Sequence, residues 1–422
     1  MRYLKRAERS PDRGNAETEE VVKGIIADVR DNGDEAVLRY ERRFSASTRD
    51  ETRVSDAEIE EVLAAVDSQA RELIDRVVER VEAFARAQLA CLSPLESAFG
   101  DGILLGHRLV PVSSVGAYIP GGRFPLLSAA PMVIVPALVA RVQRIVACTP
   151  ASYRGGIHPA VMYGLVRSGA TEIYAIGGAQ AIAAMAYGTE SLEPVDLVAG
   201  PGNRFVAEAK RQVYGQVGID LLAGPSEVLV LADDTAHPPV VAADLIAQAE
   251  HDPFARAILV TTSASLGANV LREVEALLAS LPEGSPARES WPNMGEVVLT
   301  ESLAEALEIC NRYAPEHLHV QIREPRSVMP GLHNYGSLFL GADSSVVFSD
   351  KVSGTNHTLP TLGGARYTGG LWVGSYIKVL THQEILPEGV GVLAAHAARQ
   401  AEFEGLEGHR RSAAARLRAE IR

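Results

Sequence analysis

Residues 227–260 read EVLVLADDTAHPPVVAADLIAQAEHDPFARAILV, and this stretch decides the fold class. Two short apolar runs, Glu227–Leu231 and Ala257–Val260, flank the alanine-rich segment Ala242–Ala249. Short apolar runs on either side of a helical segment are typical of two parallel strands joined by a crossover helix. The stretch therefore predicts an α/β fold built on a parallel sheet.

The same alternation of short apolar runs and helical segments extends over most of the chain. The further runs predicted as strands are Arg144–Cys148, Glu172–Ile176, Asp196–Val198, Glu296–Leu299 and Ser337–Leu340. They predict two Rossmann-like lobes with a cleft between them, over residues 108–225 and 226–375. We expect residues 1–107 to form a helical region that packs on the second lobe, and residues 376–422 to form a helical C-terminal extension.

Charge and composition exclude several functional classes. The chain has 422 residues, and its 40 basic and 53 acidic residues give a net charge of −13, which argues against nucleic-acid binding. The three cysteines are too few and too scattered for a disulfide framework or a CxxC metal site. No apolar stretch approaches the roughly 18 residues of a membrane span. We expect a soluble cytoplasmic enzyme that does not bind membranes.

Three glycine-rich turns follow strand-like runs in the first lobe. Glycines make tight turns in any α/β fold, so one such turn alone is weak evidence for a ligand. Each turn here also carries a polar side chain, Tyr118, Gln180 or Asn203. Each would lie at the carboxyl end of a strand, where helix N-termini present free N–H groups to a pyrophosphate. Together the three turns favour a nucleotide site.

The second lobe concentrates side chains that bind metals or transfer protons. Gln248 and His251 lie three residues apart on an apolar helix, which places them on one face as possible ligands of one ion. A histidine that merely complements the C-terminal helix dipole would have the same spacing. Glu316 and His317 pair a carboxylate with a group that titrates near neutrality, as acid–base catalysis requires. Such a pair is also common on protein surfaces.

Residues 348–361, FSDKVSGTNHTLPT, lack the periodicity of a core element and are dense in polar groups. Asp350, Lys351 and His357 in this segment indicate a functional loop. Glu404 and His409, five residues apart near the C-terminus, fit a solvated helix face. The cysteines lie outside all these clusters, which argues against a thiolate nucleophile.

These segments, in this order, resemble the histidinol dehydrogenase family from about residue 16 to the C-terminus. The stretches that carry the resemblance are VGAYIPGG, IGGAQAIAAMAYGT, AGPGNRFVAEAKRQVYG, VGIDLLAGPSEV, DLIAQAEHD, YAPEHL, SGTNHTLPT and EGLEGH. The resemblance implies an intertwined homodimer that uses Zn²⁺ and NAD to oxidise a primary alcohol through the aldehyde to a carboxylate. The active site is then shared between subunits.

Position by position, the resemblance also implies roles for individual residues. Zinc would be held by Gln248, His251, Asp350 and His409 of the partner subunit. The implied catalytic pair is Glu316 and His317, and the implied NAD contacts are Tyr118, Gln180 and Asn203. The substrate would contact Ser226, His357 and Glu404, besides His317 and the metal ligands.

Two cationic residues depart from the sequence that is typical of the histidinol enzymes. Lys351 follows Asp350 where those enzymes typically have a tyrosine, and Arg123 follows the PGG turn. The segment GGARYTGGLWVGSYIKVLTHQ and the opening YLKR resemble the sulfopropanediol dehydrogenase branch of the family.

Added cations beside the site favour an anionic alcohol such as 2,3-dihydroxypropane-1-sulfonate over the cationic histidinol. Lys351 and Arg123 could equally face solvent or NAD phosphates, so L-histidinol stays the alternative substrate. A non-catalytic nucleotide-binding paralogue is a third reading, which the acid–base pair disfavours.

Overall fold

The computed structural model of the protein describes residues 1–9, 16–121 and 125–418. The strands are β1 (Arg2–Lys5), β2 (Leu95–Ala98), β3 (Ile103–Pro111), β4 (Ser114–Tyr118), β5 (Arg144–Cys148), β6 (Glu172–Tyr174), β7 (Leu197–Ala199), β8 (Gly218–Ile219), β9 (Glu227–Ala232), β10 (Arg256–Thr261), β11 (Glu296–Leu299), β12 (His317–Gln321), β13 (Ser337–Leu340) and β14 (Ile377–Ile385). The helices are α1 (Ala16–Phe44), α2 (Asp56–Ala64), α3 (Ser68–Ala90), α4 (Ala129–Val139), α5 (Pro159–Ser168), α6 (Gly178–Tyr187), α7 (Arg204–Val213), α8 (Pro238–Ala249), α9 (Ala264–Ser280), α10 (Ala287–Met294), α11 (Leu303–Tyr313), α12 (Val346–Lys351), α13 (Pro387–Phe403) and α14 (Glu407–Arg418). None of the described helices is both long and apolar enough to cross a membrane.

Two sheets share one strand order. The first runs β6-β5-β4-β7-β8 and is parallel throughout. The second runs β1-β11-β10-β9-β12-β13, in which β1 is antiparallel and the other five strands are parallel. When the parallel strands of each sheet are counted in chain order, the first strand lies between the second and the fourth in both sheets. The winding direction of the chain therefore reverses beside that first strand, β4 or β9. The α/β class with parallel sheets is therefore confirmed, while the Rossmann-like description and the homodimer stay predictions.

Strands β9 and β10 are buried on both faces, which explains their unbroken apolar sequence. Val228 and Val230 point into a core shared with α8 and α9. Leu229 and Leu231 point into the opposite core, which is shared with α11. Burial of one such side chain stabilises the fold by about 1.5–3 kcal/mol. A strand that is covered on both sides gains this burial free energy at every position. Its polar residues are therefore found at its ends.

The N-terminal region differs from the expectation for residues 1–107. Helix α1 packs on α6 and α7, and α3 packs on α4 and α5, all in the first lobe, while β1 joins the second sheet through β11. The expected packing on the second lobe is therefore wrong for α1 and α3. The reason is complementary shape, because Val22, Ile25 and Val29 of α1 fit against the small alanines of α6. The region is also not purely helical, since β2 and β3 lie within or begin in it.

The C-terminal extension, residues 376–422, begins with a strand rather than a helix. β14 pairs antiparallel with β3 in a three-stranded sheet of order β14-β3-β2. Its β-branched residues Ile377, Val379 and Thr381 favour an extended chain. Helices α13 and α14 follow and pack on each other. Val379 and Phe403 are strongly exposed in this extension, at 60% and 94%.

A buried ion pair fixes the turn between β7 and α7. Lys210 Nζ pairs with the Asp220 carboxylate, and both side chains are almost fully buried. Lys210 Nζ also donates to the carbonyl oxygen of Gly200 at 3.0 Å, and the Gly200 N–H donates to Asp220 Oδ2 at 2.8 Å. Gly200 has a φ of +122°, and a Cβ there would lie 2.1 Å from the Tyr118 carbonyl oxygen. Only glycine fits this turn.

We expect Lys210→Met to lower the free energy of unfolding by about 3–5 kcal/mol, because the buried Asp220 carboxylate loses its counter-charge. Urea unfolding followed by circular dichroism measures this loss. Arg211→Met on the same helix is the matched control, since it removes an exposed pair with Glu208 worth less than about 1 kcal/mol. Equal losses in the two variants would contradict the assignment.

Candidate active site

The predicted acid–base pair lies at the amino end of the central strand β12, next to the amino end of its neighbour β9. β12 begins at His317 and pairs in parallel with β9, with His317 opposite Val228. This register brings Ser226 and Glu227 beside Glu316 and His317. Helix α8 runs back from the carboxyl end of β9 and ends at the same edge, where Gln248 and His251 lie. The structure therefore brings together predicted residues that are up to 91 positions apart in sequence, Ser226 and His317.

Two hydrogen bonds hold the Glu316 carboxylate. Ser226 Oγ donates to Glu316 Oε2 at 2.6 Å, and the Glu227 N–H donates to the same oxygen at 2.8 Å. Burial raises the pKa of Glu316 well above its ordinary value, and these hydrogen bonds oppose the rise without cancelling it. A carboxyl group of raised pKa is a stronger base once ionised, which suits it to take a proton near neutral pH.

His317 is held in one tautomer by the backbone. Its Nδ1 lies 2.9 Å from the carbonyl oxygen of Glu227, and a carbonyl only accepts, so Nδ1 carries the hydrogen. Nε2 then carries a lone pair, and it is buried without a hydrogen-bond partner among the described residues. Burial lowers the pKa of His317, although the charge of Asp350 opposes this. A neutral imidazole with a free Nε2 is the form that a general base requires.

Glu227 is a functional neighbour that sequence reasoning missed. Its buried carboxylate accepts from Arg256 Nη1 at 3.0 Å and from the Leu362 N–H at 3.0 Å. Arg256 also donates to Glu296 at 3.1 Å, so the guanidinium joins the starts of three neighbouring strands. The backbone that contacts Glu316 and His317 is therefore anchored on its other side. The sequence gives no signal for this role, because a charged residue at the start of a strand is ordinary.

Three predicted metal donors converge next to this pair. Gln248 Nε2 donates to Ser226 Oγ at 2.7 Å, which leaves the amide oxygen Oε1 available as a ligand. His251 Nε2 lies 3.7 Å from Asp350 Oδ2, too far for a hydrogen bond. Two donors that each lie about 2.1 Å from one zinc ion are separated by at most about 4.2 Å, so this gap fits a shared ion. Among the described residues, no three His, Cys, Asp or Glu side chains form a group that could hold a metal ion. The amide oxygen of Gln248 is therefore needed as the third donor beside His251 and Asp350.

His357 and Lys351 lie close to the same carboxylate. Burial lowers the pKa of His357, and the positive charge of Lys351 lowers it further. The negative charge of Asp350 and a hydrogen bond with the Asp350 backbone oppose this shift. Asn356 Nδ2 donates to the Met132 carbonyl oxygen at 2.6 Å, which ties this segment to the first lobe. Lys351 is therefore a cation near the site. Arg123 lies outside the described residues.

The three predicted NAD-contacting side chains are engaged within the protein. Tyr118 OH accepts from the Gly178 N–H at 3.1 Å, and burial raises the pKa of Tyr118 to about 12. Gln180 Nε2 donates at 2.8 Å to Glu41, while Gln180 Oε1 is buried without a partner among the described residues. Asn203 Oδ1 caps α7 by accepting two backbone N–H groups. Tyr118 and Gln180 thus meet at the start of α6, at the carboxyl end of the first sheet.

The N-termini of α6 and α7 are partly occupied by side chains of the protein itself, which the sequence did not lead us to expect. The Gly177 N–H donates to Glu41 Oε1 at 2.7 Å, so a protein carboxylate occupies the position in front of α6 where a phosphate was expected. Glu41 is 2% exposed and comes from α1. At α7 the Asn203 side chain fills the same role. Sequence reasoning missed Glu41 because a glutamate on an amphipathic helix is typical of a solvated face.

The structure does not bring Glu404 and His409 to the site of their own chain. Both are exposed on the α13–α14 hairpin, and Glu404 accepts from Gln400 Nε2 at 2.8 Å. Cys148 and Cys310 are buried, and burial raises the pKa of the Cys310 thiol to about 12. The argument against a thiolate nucleophile therefore agrees with their surroundings.

Comparison with known proteins adds the family. The family model described as histidinol dehydrogenase matches residues 8–417. The chain belongs to the histidinol dehydrogenase family. It is 44% identical over 406 residues to "Histidinol dehydrogenase homolog 1" of Mesorhizobium japonicum, which covers 96% of this chain and 81% of that protein. It is 44% identical over 397 residues to the histidinol dehydrogenase of Methanothermobacter thermautotrophicus, with 94% and 93% covered.

The crystal structure of histidinol dehydrogenase from Elizabethkingia anophelis superposes with a TM-score of 0.91 at 35% identity, and covers 98% of this chain and 95% of that one. The family resemblance is thereby confirmed, and the protein is an oxidoreductase of an NAD-dependent family that uses zinc and is typically homodimeric. The names of these relatives do not support the sulfopropanediol branch. They favour the alternative, histidinol.

The raised pKa of Glu316 predicts a pH-dependent stability. An acid whose folded-state pKa is raised stabilises the protein below its unfolded pKa, and this contribution is lost as the pH rises through the folded pKa. As the pH rises above the ordinary pKa of a glutamate, about 4.3, we expect the wild type to lose unfolding free energy relative to Glu316→Gln. Each unit of pKa shift corresponds to about 1.4 kcal/mol. Urea unfolding in the presence of a chelator measures the difference.

Asp28→Asn is the control for this experiment. The hydrogen bond from Arg39 holds the pKa of Asp28 below its usual range, so Asp28 is ionised throughout that pH interval. The difference between Asp28→Asn and the wild type should therefore not change with pH. A Glu316→Gln difference that is equally flat would show that Glu316 ionises normally.

Proposed function

We propose that the protein oxidises L-histidinol to L-histidine through the aldehyde, with NAD⁺ and a zinc ion. Relatives that bear the name histidinol dehydrogenase support the substrate. The single observation that carries the reaction type is the His317 ring, whose buried Nε2 is free while Nδ1 is held by the backbone beside Glu316.

The first oxidation needs a base at the alcohol. Gln248, His251 and Asp350 would hold zinc together with His409 of the partner subunit, and bound zinc would lower the pKa of a substrate hydroxyl. His317 Nε2 takes the hydroxyl proton as the neighbouring carbon loses a hydride. The carbonyl of Glu227 accepts from Nδ1–H and so stabilises the imidazolium that forms. NAD⁺ would be held at the carboxyl end of the first sheet, near Tyr118, Gln180 and Asn203, and would supply the hydride acceptor.

The second oxidation adds a water to the aldehyde. Once ionised, Glu316 is placed to take a proton from that water, because both of its hydrogen bonds engage Oε2 and leave Oε1. The hydrate then loses a second hydride and becomes the carboxylate. One alcohol, one water and two NAD⁺ thus yield one carboxylate, two NADH and three protons.

An active site shared between two subunits gives a role to the C-terminal residues Glu404 and His409. Glu404 and His409 are exposed on the α13–α14 hairpin, beside the exposed apolar residues Val379 and Phe403. We propose that this extension covers a second subunit and supplies His409 and Glu404 to its site. The family is typically homodimeric.

A substrate panel tests the proposal. With zinc and NAD⁺, we expect L-histidinol to be oxidised with two NADH formed per alcohol consumed, measured by absorbance and by product analysis. The sulfonate alcohol 2,3-dihydroxypropane-1-sulfonate is the comparison substrate. An absence of NAD⁺ reduction with both alcohols would contradict the dehydrogenase proposal.

The anionic alcohol is the second candidate because of one observation, the Lys351 charge beside Asp350 and His357. A cation at this position attracts a sulfonate and repels the amine of histidinol. If the sulfonate is the substrate, Lys351→Gln should raise its KM about tenfold or more. If histidinol is the substrate, the same change should leave its KM unchanged or lower it.

We expect Glu316→Gln and His317→Gln to separate the two oxidations. Loss of a positioned acid or base lowers a rate by about 10²–10⁴-fold. Glu316→Gln should lower aldehyde oxidation by this factor and alcohol oxidation much less, because only the second step consumes water. His317→Gln should lower alcohol oxidation strongly. Single-turnover measurements with each substrate test this, and equal loss of both steps in Glu316→Gln would count against the assigned roles.

A further inference from the structure

A second polar cluster lies one helical turn from the metal donors. It consists of Asp244, His319, Gln321 and Ser345, and we call it the Asp244 cluster. Ser345 Oγ donates to Asp244 Oδ1 at 2.8 Å, and Gln321 Nε2 donates to Asp244 Oδ2 at 2.8 Å. His319 Nδ1 lies 3.3 Å from the same Oδ2. The mechanism described above uses none of these four residues.

The hydrogen bonds of the cluster form one consistent set. His319 Nε2 lies 2.8 Å from the Gly341 carbonyl oxygen, so it carries the hydrogen, and Nδ1 can accept the second hydrogen of Gln321 Nε2 at 3.2 Å. The Asp244 carboxylate then accepts from Ser345 and Gln321. His319 is 0% and Gln321 2% exposed, so loss of the carboxylate would leave a buried donor unpaired.

Each member of the cluster stands on an element that carries a residue of the active site. Asp244 lies on α8 one turn before Gln248, so both point to the same side of the helix. His319 and Gln321 share a face of β12 with His317, because strand side chains alternate. Ser345 is the N-cap of the six-residue helix α12, near whose end Asp350 lies.

We propose that Asp244 is a positioning residue for the divalent metal site. This inference rests on the proposed function, because it assumes that Gln248, His251 and Asp350 share one ion. The Asp244 carboxylate joins α8 to the start of α12 and to β12. It thereby sets the separation between the donors at the end of α8 and the donor on α12, without contacting metal or substrate itself.

Zinc affinity of the full-length protein tests the proposal. Asp244→Ala removes the link, and we expect the zinc dissociation constant to rise about tenfold or more, measured by competition with a chelating dye. Supporting residues of metal sites typically contribute 10–100-fold in affinity. The rise in melting temperature on zinc addition should shrink in parallel, since it depends on the same constant.

Asp233→Ala is the matched control. Asp233 is a carboxylate of the same lobe that accepts from the Arg323 N–H at 3.0 Å and from the Thr235 N–H at 2.9 Å, and these bonds involve neither α8 nor α12. We expect it to leave zinc affinity unchanged even where it lowers stability. Should Asp244→Ala fail to fold, Ser345→Ala cuts the link to α12 together with the N-cap of that helix, and a rise of several-fold in its zinc dissociation constant is expected.

The outcomes separate this inference from the proposed function. A folded Asp244→Ala or Ser345→Ala protein with the zinc affinity of the wild type would overturn the positioning role alone. A loss of affinity as large in Asp233→Ala would also overturn it, because a general structural effect would then be the cause. A wild-type protein that binds neither Zn²⁺ nor Co²⁺ would overturn the metal site and the inference with it.

Discussion

The parallel pairing of β9 with β12 is the interaction on which the rest of the site depends. It places the backbone N–H and C=O groups of Glu227, the first residue of β9, beside the start of β12. The N–H of Glu227 then faces the Glu316 carboxylate and its carbonyl faces His317 Nδ1. Backbone groups in a paired strand cannot rotate independently of the ladder. The orientation of the acid–base pair and the tautomer of the histidine are therefore set by the sheet itself.

The site at the amino edge of this sheet has a topological cause. Ligands of open α/β sheets usually bind at the carboxyl ends of the strands, where the first lobe has its glycine turns. In a crossover unit the helix runs antiparallel to the strands, so the end of α8 returns to the amino edge of β9. Gln248 and His251 can meet Ser226 and Glu316 only at that edge. For the two lobes to act on one substrate, the carboxyl edge of one sheet has to face the amino edge of the other.

Sequence patterns predicted the elements whose two faces are equally apolar and missed those with a polar face. β9 and β10 were visible as unbroken apolar runs. β12 was not predicted, because His317, His319 and Gln321 interrupt its apolar residues at every second position. Their burial is possible only because partners distant in sequence satisfy each polar group. Such partners are set by tertiary structure and leave no local periodicity.

The same limit applied to the candidate site. The residue types in LIAQAEH, YAPEH and the segment of residues 348–361 indicated metal and proton chemistry, but their assignment to one centre came from resemblance. The supporting residues Glu227, Arg256 and Asp244 gave no such signal, since a charged residue at a strand end or on a helix is ordinary. Their role becomes apparent only from burial and from contacts across elements.

Glu41 shows how the fold constrains the coenzyme. Its buried carboxylate accepts from the Gly177 N–H at the start of α6 and from Gln180, and so it occupies part of the helix terminus. A second anion at the same place would meet like-charge repulsion in a buried setting, where Coulomb energies are largest. The absence of a strict GxGxxG turn in the chain agrees with this, because that turn serves a helix terminus that binds pyrophosphate directly.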